Sequence, residues 1–203
     1  MSVRIELLPD PSLRGLDPTG GVTCEQGALV TVDPETLREI WTASTLELFA
    51  RSYWDYIRRR TLGAVRVVHG GHGPTVTLFG RIPLLGFRPP VFSTGADRAS
   101  VEWPIERGIL VARDGRGQGF LRIAAERDPE GAGPDRRLRV SSSVSNFYPW
   151  LRGRGRMARA GTWLYSQTQL RVHIAVTRGF LRTLESLPDD VLRRGVAVGP
   201  NGP

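Results

Sequence analysis

Histidine is the side chain whose charge changes nearest neutral pH, and the chain has three, at 69, 72 and 173. His69 and His72 bracket two glycines in the run HGGH. Two imidazoles that close could share a metal ion, but no cysteine or carboxylate stands beside them to complete a ligand set. Paired glycines mark a hairpin turn instead, and no metal site is read there. His173 follows Leu170 by three positions and precedes Thr177 by four, which places it at the border of one helix face. It is the first candidate for general acid–base work if that face lines a cavity. A hydrogen-bonded core histidine satisfies the same pattern. Glu102 and Glu106 share one face of a strand-like run. Facing inward they need a ligand hydroxyl or an arginine as partner, and Glu106 is then the second candidate for moving protons. Facing outward they form a solvated row, with Trp103 and Ile105 turned in.

Ser142 and Asn146 alternate on one face with Leu138, Val140 and Val144. Small polar groups in an otherwise apolar row are what a pocket uses to orient a ligand. Tyr148, His173 and Thr177 complete the set of candidate ligand contacts. Glycines 115, 117 and 119 imitate the start of a dinucleotide fingerprint, but the third is misplaced and a strand follows where a helix is required. A hairpin turn over Arg113–Gln118 explains them, and no cofactor is implied. The run FYPWLRGRGRMARAG, Phe147–Gly161, joins aromatics to Arg152, Arg154, Arg156 and Arg159. Such a segment can anchor at an anionic lipid surface or stack on bases; a lid or connector whose rings pack on the core is the plainer reading.

The elements that must position these groups follow from periodicity. From Thr162 to Leu187 no proline interrupts, and Trp163, Leu170, Ile174, Thr177, Leu181 and Leu184 make one helical seam, with Val172, Val176 and Phe180 beside it. Asp33-Pro34 is a helix start, an acidic N-cap followed by proline in the first turn. The pattern runs to about Arg60, with Leu37, Ile40 and Trp41 in one cluster and Leu46, Phe49, Tyr53 and Ile57 in another, and with a break at Thr42–Thr45. Between Ala64 and Phe147 the period changes to two: Val65, Val67 and His69; Val76 and Leu78; Val101, Trp103 and Ile105; Leu121, Ile123 and Ala125; then Leu138 to Asn146. Pro104 argues for an edge or a bulge within its run. Short connections favour an antiparallel meander. Residues 1–33 carry four prolines or paired glycines and are expected to form an irregular arm, with one short strand over Ala28–Val32.

A chain of 203 residues suits one core. One cysteine, Cys24, allows no internal disulfide. The start lacks the basic and apolar regions of a signal peptide and no run is long enough to span a bilayer, so a cytoplasmic location is expected. Net charge is +8, and every basic residue is arginine, which points to GC-rich coding as one source of the excess. Nucleic acid is therefore a third-ranked partner, behind a hydrophobic small molecule and an anionic membrane surface.

Helices near the front, five or six antiparallel strands and one long last helix resemble, in that order, the helix-grip fold of the START-like and Bet v 1-like (SRPBCC) superfamily. The resemblance spans about residues 28–187 and rests on element order. It departs in a longer front helical region and in the insert over residues 147–161. It implies an α+β fold in which a curved antiparallel sheet wraps a long C-terminal helix around a cavity for lipids, sterols or polyketides; some members act as cyclases or aromatases. The segments VEWPIERGILVA and SNFYPWLRG also resemble an uncharacterised family from high-GC bacteria, which brings no activity with it. The expectation is an arm over 1–33, one helix-grip-like domain over 34–187 and a tail over 188–203. That domain would bind a hydrophobic or amphipathic small molecule between sheet and last helix. A cyclase-like enzyme in the same cavity, and a basic adaptor using residues 147–161 on membrane or nucleic acid, are the alternatives. Whether the chain catalyses a reaction, and its oligomeric state, do not follow from sequence.

Overall fold

The computed structural model describes residues 3–8, 12–14, 22–111, 116–128, 136–147 and 176–186. They form an α+β fold: strands β1 (Arg4–Leu7), β2 (Ser12–Arg14) and β3 (Val22–Val32), helices α1 (Pro34–Ile40) and α2 (Ala43–Arg60), then strands β4 (Val65–Gly70), β5 (Gly73–Leu78), β6 (Ile82–Phe87), β7 (Val91–Thr94), β8 (Arg98–Arg107), β9 (Gly119–Arg127) and β10 (Arg136–Phe147). A terminal helix covers 176–182 and tightens into a 3-10 turn over Thr183–Ser186. The upstream part of the helix expected from Thr162 lies outside the described residues.

All ten strands join one sheet in the order β1-β3-β10-β9-β8-β6-β5-β4, with β2 also on β3 and β7 also on β8. Every pairing among them is antiparallel. The described residues among the first thirty-three thus form strands where an irregular arm was expected: β3 is eleven residues long and lies between β1 and β10 inside the sheet. The prolines that suggested the arm, Pro9, Pro11 and Pro18, all precede β3. Within it Cys24, Gln26, Ala28, Val30 and Val32 alternate inward, so the strand satisfies the ordinary half-buried pattern.

Pro104 occupies β8, an interior strand, without disrupting it. Its carbonyl accepts from the Arg88 N–H at 2.9 Å, so its nitrogen faces the same side. There β7 pairs as far as Glu102 and β6 only from Ile105, with a register shift at Gly86/Phe87. The missing N–H falls where the neighbour changes and no ladder bond is lost.

The helices cap as their sequences dictate. Asp33 accepts from the Thr36 N–H at 2.9 Å, and those bonds, backbone first and Thr36 hydroxyl second, hold its carboxyl below the usual range. Trp41 ends α1, and Thr42 caps α2 through the Thr45 N–H at 3.2 Å. α2 buries Leu46, Phe49, Ala50, Tyr53, Trp54 and Tyr56 against the sheet and the terminal helix. Phe180 stacks on Phe49 at 5.1 Å and meets Tyr53 edge-on at 5.1 Å, while Tyr53 and Trp54 reach Trp103 on β8 at 6.5 and 5.2 Å. Gly179 permits this approach, because a Cβ there would overlap the Tyr56 hydroxyl.

Gly179→Ala is expected to destabilise the fold by about 1–3 kcal/mol, the usual scale for overpacking a tight contact. Tyr56→Phe in the same chain should recover much of the loss. Denaturant titration of the two single variants and the double variant measures the coupling; additive effects would show that the two helices do not meet at this point.

Candidate functional site

The inner face of the sheet is built in cross-strand rows, since side chains directly opposite in register stand side by side. One row is Cys24, Val144, Leu121 and Trp103; the next is Gln26, Ser142, Ile123 and Val101; the third is Ala28, Val140, Ala125 and Ala99. Three alanines in one row leave room that larger side chains would fill. A cavity of about 80 Å³ opens over two of them, Ala99 and Ala125, and is lined on the sheet side also by Val30, Val32, Leu138 and Val140. Thr45, Leu46 and Phe49 of α2 and Leu184 of the terminal helix cover it, and Ile40 and Trp41 stand at its margin. Its walls are almost wholly apolar. The volume accommodates several water-sized groups but falls short of the roughly 300–1,000 Å³ of full ligand pockets.

The polar row lies two residues further along β3 and β10, about 7 Å away at the strand rise. Gln26 is 4% exposed, Ser142 and Thr177 are 0% exposed. Among the described residues the Gln26 amide nitrogen, the Ser142 hydroxyl and the Thr177 hydroxyl have no hydrogen-bond partner. Gln26 Oε1 is engaged: it accepts from Arg178 Nε at 3.2 Å, tying β3 to the terminal helix beside Thr177. The Tyr53 phenol, fully buried, stands near Thr177. Burial pushes its pKa well up, and Thr177 offsets part of the rise although its Oγ1 lies outside hydrogen-bond geometry. Cys24 is shifted up as well, by burial first; Gln26 alongside lowers it, and Glu25 raises it. Both groups are neutral in the folded protein near neutral pH.

A second cavity, of about 300 Å³, lies on the other flank of α2, where Trp54 and Trp103 meet Phe92, Pro74 and His69, with Glu47 and Arg51 at its rim. It carries no buried polar group left without a partner among the described residues.

The candidates read from sequence divide accordingly. Ser142 and Thr177 come to the interface of sheet and terminal helix, both fully buried. Asn146 belongs to β10, next to a register irregularity between Val144 and Phe147. Tyr148, His173 and the arginines of Phe147–Gly161 lie outside the described residues. Glu106 is on the outer face, half-exposed and 3.6 Å from Arg88, so it does not reach the cavity. Glu102 shares that face and accepts from Arg122 Nε at 2.9 Å. The alternation that turns Trp103 and Ile105 inward puts both carboxylates outward. His69 and Gly70 pair with Pro74 and Gly73 around a two-residue turn, the hairpin expected of HGGH. Among the described residues no three His, Cys, Asp or Glu side chains are placed to hold a metal ion, and no helix is long and apolar enough to cross a membrane.

Gln26, Tyr53 and Cys24 are the site residues that sequence reasoning missed. Gln26 and Cys24 sat in the segment taken for an arm, and Tyr53 was counted as core. The strict alternation of Cys24, Gln26, Ala28, Val30 and Val32 was the available signal.

No protein-family model matches the chain, and no curated protein matches it. Among solved structures the chain is similar to CalU16 from Micromonospora echinospora, at 12% identity over 93% of this chain and 99% of that one, with a TM-score of 0.26. A superposition of that quality establishes no shared fold, and the site is read from its own residues.

The raised pKa values carry a sign. Folded Tyr53 and Cys24 hold their protons where the unfolded chain would release them, so their contribution to stability is complete below the ordinary values of 9.0 for the thiol and 10.0 for the phenol. It is lost as pH rises through those values toward the folded ones. Stability measured by denaturant should therefore fall on the alkaline side. Tyr53→Phe should flatten the part of the decline above the phenol's ordinary value, and an unaltered slope would mean that Tyr53 is not buried.

Proposed function

We propose that the protein binds an amphipathic small molecule in the interface between the sheet and the terminal helix, its apolar part over the alanine row and its polar group at Gln26, Ser142 and Thr177. The observation that carries the reading is the pairing of an apolar cavity with three fully desolvated polar atoms one row away. A buried polar atom without a partner costs about 1–3 kcal/mol, and one carbonyl or hydroxyl could satisfy more than one of these at once. Gln26 offers only its N–H donors, because its oxygen is taken by Arg178. The two hydroxyls donate or accept. A neutral keto or hydroxyl group suits this set; no cation in it faces a carboxylate ligand except Arg178, which is engaged with Gln26. A ligand larger than the cavity needs the terminal helix to yield at Leu184, which covers it.

The frame for this reading is a large antiparallel sheet with helices packed on it, and the task proposed for it is binding. Of the two proton-transfer candidates, Glu106 faces away and His173 lies outside the described residues, so no reaction is assigned.

Ser142→Ala and Thr177→Val test the proposal because their two effects oppose each other. Each deletes an unpartnered hydroxyl, so stability should hold or rise, since removing a buried group of this kind is neutral to favourable. Binding of a neutral aromatic ketone dye such as prodan, followed by its emission shift, should weaken about fivefold to tenfold per substitution. Stability lost with binding unchanged would make both hydroxyls structural and overturn the assignment.

A further inference from the structure

From Tyr56 to Ala96 the chain has six arginines and no acidic residue; Arg136–Leu184 is a second acid-free stretch, with ten arginines. Five of the first six cluster at one end of the sheet. Arg58, Arg59 and Arg60 form the last turn of α2, Arg66 lies on β4, and Arg81 lies in the turn between β5 and β6. Arg66 donates to the Gly63 carbonyl at 3.1 Å and passes within 3.8 Å of where a Cβ on Gly80 would be, which brings the two turns together. Asp55, 3.6 Å from Arg58, marks where acidic residues resume along α2.

Among these cations two large apolar side chains project into solvent. Leu62 is 96% exposed in the turn after α2, and Phe79 is 66% exposed at the end of β5; Ile82 follows at 45%. The Phe79 N–H bonds to the Ala64 carbonyl, so the two turns are adjacent. Leu62 and Phe79 also hold φ of 50° and 52°, the described non-glycine residues in the left-handed region. Glycine or asparagine takes that conformation at lower cost than a leucine or a phenylalanine. The tip thus combines exposed apolar groups, unfavourable backbone at the residues that bear them, and one-sided charge.

We infer that this tip is a docking surface for an anionic lipid bilayer, with Leu62 and Phe79 entering the headgroup–acyl boundary and Arg58, Arg59, Arg60, Arg66 and Arg81 facing the lipid phosphates. The inference is independent of the ligand reading. Nucleic acid would use the same cations, but a leucine at the apex of a turn gives no stacking surface, whereas lipid accepts aliphatic and aromatic groups alike. The surface uses residues other than those of Phe147–Gly161, whose arginines the sequence first suggested for this purpose and which lie outside the described residues.

The test is sedimentation with phosphatidylcholine vesicles made with and without phosphatidylserine. Binding should require the anionic lipid and weaken with salt over the Debye range. Each of Arg59→Ser, Arg60→Ser and Arg81→Ser should cost about fivefold in partitioning. Leu62→Gly with Phe79→Asn is the decisive pair: it relaxes the two left-handed residues, so thermal stability should hold or rise, while partitioning should fall roughly tenfold or more. Vesicle binding unchanged in that pair, or absent at low salt in the parent chain, would overturn the inference. So would full displacement from vesicles by an oligonucleotide at matched charge, which would make the patch a polyanion site.

Discussion

The fold depends on Phe180 entering the space among Phe49, Tyr53 and Tyr56. Those rings belong to three successive turns of α2, and their contacts at 5.1, 5.1 and 6.0 Å hold the terminal helix against α2 at Phe180. Gly179 makes the approach possible by presenting no Cβ to Tyr56. Once that contact is set, the helical repeat determines the rest. Thr177 falls one turn before Phe180, next to Tyr53, and Arg178 reaches Gln26; Leu184 falls one turn after and closes the apolar cavity. The polar and apolar ends of the site are therefore two turns apart on one helix, about 10 Å at the standard rise. Neither end could be shifted without moving the aromatic contact between them.

What the sequence made legible was whatever one element encodes by itself. The cap at Asp33, the break before α2, the alternation of β8, β9 and β10 and the burial of Thr177, Leu181 and Leu184 are all local patterns with local causes. Ser142 was recognisable as a polar residue in an apolar row for the same reason. β6 and β7 were not anticipated: β6 is interrupted by Pro83 and Gly86, and β7 is only four residues long between Pro90 and Gly95, so neither carries much periodic signal. β3 was misjudged for a different reason: prolines just upstream were allowed to speak for a strand that contains none. The alanine row was illegible in principle, since Ala28, Ala99 and Ala125 come from three strands and become neighbours only through register. So was the partnership of Gln26 with Arg178, which spans most of the chain.

The register explains why the site combines features that are unremarkable singly. A small-residue row in a sheet face is normally filled from the opposing layer, and here Phe49 and Leu184 fill it only in part. A buried serine or threonine usually bonds to a nearby carbonyl, yet Ser142 and Thr177 do not. Three unpartnered atoms at about 1–3 kcal/mol each are a sizeable fraction of the roughly 5–15 kcal/mol that holds a domain together. A ligand that binds only the folded state returns stability by mass action, so the same atoms that weaken the free protein would strengthen the complex. That coupling is what the binding proposal predicts and a packing flaw does not.

Charge gives the complementary lesson about what composition can and cannot say. A net charge of +8 with arginine as the sole basic residue reads first as coding bias, and bias predicts arginines scattered in proportion to length. The arginines follow that proportion, with six in Tyr56–Ala96; it is the acidic residues that are uneven, absent from that stretch and from Arg136–Leu184, while ion pairs such as Glu102–Arg122 and Glu126–Arg98 neutralise the outer sheet face. Coding bias accounts for the choice of arginine over lysine but not for the absence of acid from Tyr56–Ala96. Nor does it account for a leucine and a phenylalanine held in left-handed backbone in that same stretch. A net charge describes solubility; the clustering of arginines around exposed apolar groups at the turns after α2 and β5 is what the proposed docking surface rests on.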